Sequence, residues 1–397
     1  MTAPRAPYRI AFVINSLETG GAERQLALTV AELDRSRFAP IVVTLFRAGA
    51  FREAVERAGV EVRDLGLPKS LWSAVRGARP ALAELRPDLI HTAMFEANVA
   101  GRLAGRRLGV PVVSHATNTY DAPLRYSETP VPRWKLNAAR RLEGWTARRS
   151  GARIVAVGEE VARSAAAYLD IPRSRVSVIR RGFDFRALEA ASREPLEAPA
   201  WPDGASPRLL AVGRLAPQKG HRYLVEAMPA ILDEHPRAHL TIAGGGPLEP
   251  ELRSLAASLD LAERVTLAGV RRDVPALLAA ADVFVLPSLW EGAAGALVEA
   301  MGLGVPVVST DDPALREVAG NAASLVAARD AGALAGAVVE LADDPAAARA
   351  RAAGAVPRVR AAHDIQANTR ALERVYEDVV EGRAAESTRP KRRHWRC

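Results

Sequence analysis

An alternation of short apolar runs with helical stretches passes through this chain twice, broken once by a proline-rich segment, and it restricts the fold more than any other feature. Runs at Arg9–Ile14, Ile41–Leu45, Asp88–His91, Val110–Ser114 and Arg153–Val157 read as buried strands. Helical stretches separate them at Ala22–Leu33, Phe51–Ala58, Ala97–Leu108 and Val161–Leu169. Apolar strands spaced by helices predict a parallel sheet covered on both faces. The segment Ala116–Leu142, with Pro123, Pro130 and Pro132, interrupts the rhythm. It reads as a mobile loop leading into a basic amphipathic helix that carries Arg133, Lys135, Arg140, Arg141, Arg148 and Arg149.

Residues 190–207 hold Pro195, Pro199, Pro202, Gly204 and Pro207 without period, a linker composition. The alternation then restarts, with strands at Arg208–Val212, His239–Ala243, Val265–Leu267, Val283–Pro287 and Pro306–Ser309. Helices are expected near Tyr223–Asp233, Glu249–Leu259, Val274–Ala281 and Ala294–Met301. Two doubly wound α/β domains follow: 1–189, then the linker 190–207, then 208–363. A helix over 364–382 is expected to cross back to the first domain, and the basic tail 383–397 to be disordered. A length of 397 residues suits two domains at roughly 100–200 residues each.

Composition excludes several classes. No run nears the roughly 18 apolar residues of a spanning helix, and the five-residue apolar stretch Ile10–Ile14 does not read as a signal peptide. The single cysteine, Cys397, makes neither a disulfide framework nor a thiolate metal site, so a cytoplasmic protein is expected. Charge is unevenly spread: +11 through residue 184, −8 over 185–382 and +5 in the tail. A positive face suits an anionic membrane or an acidic acceptor; arginine enrichment of the whole composition accounts for it equally. Arg133–Arg149, with Trp134 and Trp145, is the segment that would rest on a membrane, unless those tryptophans are core anchors. The tail Lys391–Arg396 has no nucleic-acid motif beside it, and no nucleic-acid partner is expected.

Ligands of open parallel sheets sit beyond the carboxyl ends of the strands, and three loops there stand out. The first, Asn15–Arg24, contains Gly20-Gly21 at a strand-to-helix turn, where a backbone approaches a ligand closely. It is no GxGxxG fingerprint, which disfavours a nicotinamide site. The second, Gly213–His221, places Arg214 and Lys219 within reach of one diphosphate, or leaves them as solvated cations; it is not a P-loop. The third, Pro287–Ala300, sets Glu291 in a turn and Glu299 inside the next helix, eight positions apart. Small residues between them expose amides suited to phosphate, and a carboxylate further in suits a vicinal diol.

The runs Gly213-Arg214-Leu215…Lys219-Gly220, Ile242–Pro247, Asp282–Ser288, Glu291…Glu299-Ala300-Met301 and Gly304–Val308 together resemble the retaining glycosyltransferases of family 4. Gly20-Gly21-Ala22-Glu23 is similar to that family's N-terminal glycine loop, and Arg181-Gly182-Phe183-Asp184 to a degraded Asn-Gly-Val-Asp element. The resemblance covers nearly the whole chain. It implies a GT-B fold: two Rossmann-like doubly wound parallel-sheet domains facing an interdomain cleft. It also implies transfer of a sugar from a nucleoside-diphosphate sugar to a carbohydrate or lipid-linked acceptor, with retention and with no metal or other cofactor.

Carried over, the resemblance makes Arg214, Lys219, Glu291 and His115 the catalytic residues. Gly20, Gly21, Arg214, Lys219, Glu291, Gly292, Gly295, Leu297 and Glu299 become the donor contacts. Arg214 and Lys219 would bind the diphosphate, Glu291 the transferred sugar, Glu299 the ribose. The absence of any Asp-x-Asp fits a site where cations replace the metal. Ala293 and Ala294 depart from the family's usual aromatic or leucine and imply a roomier sugar pocket. The family's sugar-contacting histidine falls at His115 or, by register, nearer Thr117, and both readings stay open. A nucleotide-sugar 2-epimerase and a non-catalytic nucleotide-sugar binder are the alternatives.

Overall fold

The computed structural model describes residues 6–18, 20–120, 124 and 131–387. Most of the proline-interrupted loop and the tail from residue 388 lie outside the described residues.

Two all-parallel sheets form in succession. The first takes the order β3-β2-β1-β4-β5-β6-β7, with β1 Tyr8–Ser16, β2 Phe38–Arg47, β3 Glu61–Asp64, β4 Leu89–Ala93, β5 Val112–Ala116, β6 Arg153–Ala156 and β7 Val176–Val178. The second runs β10-β9-β8-β11-β12-β13, with β8 Arg208–Val212, β9 His239–Ala243, β10 Val265–Leu267, β11 Val283–Leu286, β12 Val307–Thr310 and β13 Ser324–Val326. Central strands such as Ile10–Ile14 and Val283–Leu286 are buried on both faces, which is why they read as unbroken apolar runs. The edge strands β3, β7 and β13 carry half-exposed residues and hide in a sequence scan for apolar runs.

Helices flank both sheets. Of those missing from the sequence reading, Leu71–Leu85 and Pro345–Ala362 contain internal proline, Phe185–Ala191 and Pro313–Ala319 are short, and Ala331–Asp343 is apolar nearly all round, without a clear stripe. Their starts are nonetheless capped: the side chains of Ser70, Asp184, Asp312, Asp330 and Asp344 accept from first-turn amides.

The proline-rich break is a fixed strap. Ala200 is buried, its carbonyl accepts from Thr241, and Trp201 donates Nε1–H to Leu209 O at 3.1 Å. The final helix, Ile365–Ser387, runs past its expected end at residue 382. It lies on the first sheet, where Tyr376 packs among Phe12, Phe38 and His91 while Glu377 ion-pairs with Arg37. Trp134 and Trp145 are not core anchors: they are 67% and 41% exposed on helix Arg133–Ser150. No helix among the described residues is long and apolar enough to cross a membrane.

Candidate active site

In the second sheet β8 and β11 are neighbours, yet the chain leaves β8 toward β9 on one side and β11 toward β12 on the other. At such a reversal the loops beyond the strands part and leave a crevice. The loop Gly213–Gly220 follows β8 and the loop Pro287–Ala294 follows β11, so residues 72 positions apart in sequence meet at one place.

They are stapled together. Leu289 N–H donates to Gln218 O at 2.8 Å, and Gln218 Nε2 donates to Trp290 O at 2.9 Å. Gly220, at φ 62°, lets them meet: a Cβ there would stand 2.1 Å from the Pro287 carbonyl oxygen. The staple brings the Lys219 ammonium onto Glu291 Oε1, an oxygen that also accepts from Ser288 Oγ at 2.8 Å. Glu291 is only 5% exposed, and a buried carboxylate is tolerated when charge and hydrogen bonds compensate it. Arg214, five positions before Lys219, is exposed and has no side-chain partner among the described residues. The loop thus presents one anchored cation and one free one.

The first domain closes over this loop. Thr119 Oγ1 donates to Glu291 O at 3.2 Å, and a Cβ on Gly292 would lie 2.2 Å from Thr117 O and 2.4 Å from Asn118 Cα. Deeper in, Gly295 opens the short helix Gly295–Gly302, and Glu299 is buried on its inner side at 4% exposure. Leu297 faces the core instead: its side chain is fully buried and its amide donates to Ala294 O at 3.1 Å.

The remaining candidates stand on the other wall. Gly20 and Gly21 precede and open helix Gly21–Glu32; the Glu23 carboxylate covers Gly20, and Arg181 Nη1 would lie 2.7 Å from a Cβ on Gly21. Burial raises the Glu23 pKa, against its own helix amides and the Arg181 charge. His115, one residue before the end of β5, lies beside Thr117 and Arg181, and all three border one small cavity. Burial first, then the Arg181 charge, pushes the His115 pKa down to about 4, so at neutral pH it is an uncharged imidazole. Its Nε2 is buried without a hydrogen-bond partner among the described residues. His91, by contrast, is structural: Nδ1 meets Tyr376 OH at 2.5 Å and the ring stacks on Phe12.

Several contributors escaped the sequence reading because nothing local marks them. Arg24 Nη1 reaches Glu299 Oε1 at 2.5 Å across the cleft. Glu317, from the second domain, accepts from the Glu159 amide at 2.8 Å at the start of helix Glu159–Leu169 and pairs with Arg180 at 2.7 Å. Nearby, burial lifts the Asp312 carboxyl to about 6 against the two amides it caps, with Glu291 and Glu160 adding to the rise.

Comparison with known proteins agrees with this architecture. The family model described as Glycosyltransferase Family 4 matches residues 19–186, and that of Glycosyl transferases group 1 matches residues 206–344. The UDP-Gal:alpha-D-GlcNAc-diphosphoundecaprenol alpha-1,3-galactosyltransferase of Escherichia coli is 30% identical over 253 residues, 62% of this chain and 63% of that protein. The chain thus spans under two thirds of that relative. The glycogen synthase of Mycobacterium tuberculosis is 31% identical over 340 residues, 82% of this chain and 74% of its own length. Among solved structures, Anabaena HepE in complex with UDP and glucose superposes with a TM-score of 0.78 at 22% identity, covering 93% of this chain and 99% of HepE. With two facing parallel sheets in a GT-B fold and both family models matched in tandem, the chain belongs to the group 1, family 4 type of glycosyltransferases, enzymes that transfer sugars.

Proposed function

We propose that the second domain holds a nucleoside-diphosphate sugar and that its sugar passes to an acceptor hydroxyl bound on the first domain. The observation that carries this reading is the Lys219–Glu291–Ser288 cluster at the crevice between β8 and β11, with Arg214 free beside it. Two cations at one loop suit a diphosphate, Lys219 as a point charge and Arg214 as a planar fork. HepE, crystallised with UDP and with UDP-glucose, makes uridine nucleotides the first donors to try.

In this reading the acceptor oxygen bonds to the anomeric carbon as the bond from that carbon to the diphosphate breaks. The nucleoside diphosphate leaves with the electron pair, and its phosphate oxygen takes the acceptor proton. Attack and departure on one face of the sugar retain the anomeric configuration. Negative charge grows on the departing oxygen, where Lys219 and Arg214 stabilise it without a metal. Glu291 fixes the ammonium and faces the sugar, Glu299 accepts from the ribose hydroxyls, and His115 offers a neutral hydrogen-bonding group. Incubation with a panel of nucleoside-diphosphate sugars should release free nucleoside diphosphate in step with glycosylated product. Isomerised sugar nucleotide without transfer, or tight binding with no turnover under any acceptor, would overturn the assignment.

We also assign the exposed face of helix Arg133–Ser150 to the surface of an anionic membrane, where a lipid-linked acceptor would be presented. Its arginines lie outward together with Trp134 and Trp145, the pairing of charge and amphipathic rings that suits an interface. The protein should float with vesicles containing phosphatidylglycerol and not with pure phosphatidylcholine. Equal recovery with both would exclude this docking.

A further inference from the structure

Glu299, to which the proposed function gives the ribose hydroxyls, already has a partner. Arg24 Nη1 donates to its Oε1 at 2.5 Å, and the two residues belong to different domains. Arg24 lies in the first turn of helix Gly21–Glu32, directly after the glycine loop, with its guanidinium 6.0 Å over the Phe183 ring. A cation of the acceptor-side domain therefore stands on the donor-side carboxylate.

The two partners differ in freedom. The Glu299 side chain is 6% exposed and sits in a short packed helix between Val298 and Ala300, both fully buried. The Arg24 side chain is 46% exposed, on a long stem at the helix surface. Of the two, only Arg24 can swing into water with its charge rehydrated, so it is the partner that yields. A carboxylate accepts from one two-donor partner at a time, whether a guanidinium or a vicinal diol.

We propose that Arg24 is the resident occupant of the ribose subsite: nucleoside hydroxyls and Arg24 compete for Glu299. This rests on the ribose reading of Glu299 and adds to it a specificity-determining residue contributed by the opposite domain. The incoming nucleoside must displace a charged partner, so a ligand unable to offer both hydroxyls to the carboxylate is disfavoured. Displacement also breaks one interdomain link and leaves the guanidinium free on the acceptor wall while the donor is bound.

Calorimetric titration of UDP, GDP and ADP, each carrying the vicinal diol, into wild type, Arg24→Gln, Glu299→Gln and the double variant tests the proposal. Arg24 is half exposed, so Arg24→Gln should fold normally. It should tighten the best-bound nucleotide about two- to fivefold, the size expected of a partly exposed ion pair removed from competition. Glu299→Gln should weaken it, and adding Arg24→Gln to that variant should change nothing further. Unchanged or weaker binding in Arg24→Gln, with Glu299→Gln still impaired, would overturn the competition and leave the ribose assignment standing. Wild-type affinity in Glu299→Gln, or binding of none of the three by any variant, would overturn both.

Discussion

Lys219→Ala should lower turnover by about 10²–10³-fold, the usual loss when one charge-stabilising group is removed from a transition state. The fold should survive. Lys219 is at the rim of its domain rather than in a core, and Glu291 keeps the Ser288 hydroxyl bond at 2.8 Å after the ammonium is gone. Removing one partner of a buried ion pair costs up to about 3–5 kcal/mol, less here because Lys219 is partly exposed and Ser288 still donates, enough to lower the melting temperature but not to unfold two domains. Steady-state rates beside a thermal melt separate the effects. A variant turning over at close to the wild-type rate would remove Lys219 from the chemistry and with it the reason for the Glu291 pair.

Gly292→Ala should be nearly as damaging for a different reason. Its Cβ would stand 2.2 Å from the Thr117 carbonyl oxygen and 2.4 Å from Asn118 Cα, both backbone atoms of the other domain. Neither wall can yield at such a distance without the cleft opening. The contact sits beside both cores, since Ala293 joins that of the first domain and Ala294 that of the second, so the melting temperature should fall as well. Displacing acceptor from donor by an ångström costs about 10²-fold in rate. A fall of that size in kcat/KM, with a wider molecule in small-angle scattering and a lowered but still cooperative melt, is the expected result. Wild-type kcat/KM would mean that the reaction does not need the domains as close as Gly292 allows.

The sequence exposed those parts of the fold whose physics is local. Strands buried on both faces must be continuously apolar, so β1, β8 and β11 announced themselves, and the break at 190–207 stood out by proline alone. The loops carrying Arg214, Lys219, Glu291 and Glu299 were legible because their residues sit at fixed spacings after such strands. Edge strands and the alanine–arginine helices carry no comparable pattern.

What closes the cleft was not legible at all. Arg24 and Glu299 are 275 positions apart, and Glu159 and Glu317 are 158 apart. Arg24, Glu159 and Glu317 are ordinary charged residues on helices until the domains meet, and the partner of Glu299 was as hidden as theirs. Arg181 was legible only as the first residue of a degraded motif, with nothing to say that its charge is among the causes holding His115 neutral. Local patterns marked the loops beyond β8 and β11; only the packing of one domain on the other shows what faces them.

The central claim, that the second domain binds a nucleoside diphosphate through Glu299, is tested most directly by a thermal-shift panel. Nucleoside diphosphates and their sugars are compared on wild type and Glu299→Ala. One nucleotide family should raise the melting temperature of the wild type, as any ligand of the folded state does, and the rise should vanish in the variant. An equal rise in both proteins would contradict the account, because the nucleoside would then be held somewhere other than at Glu299.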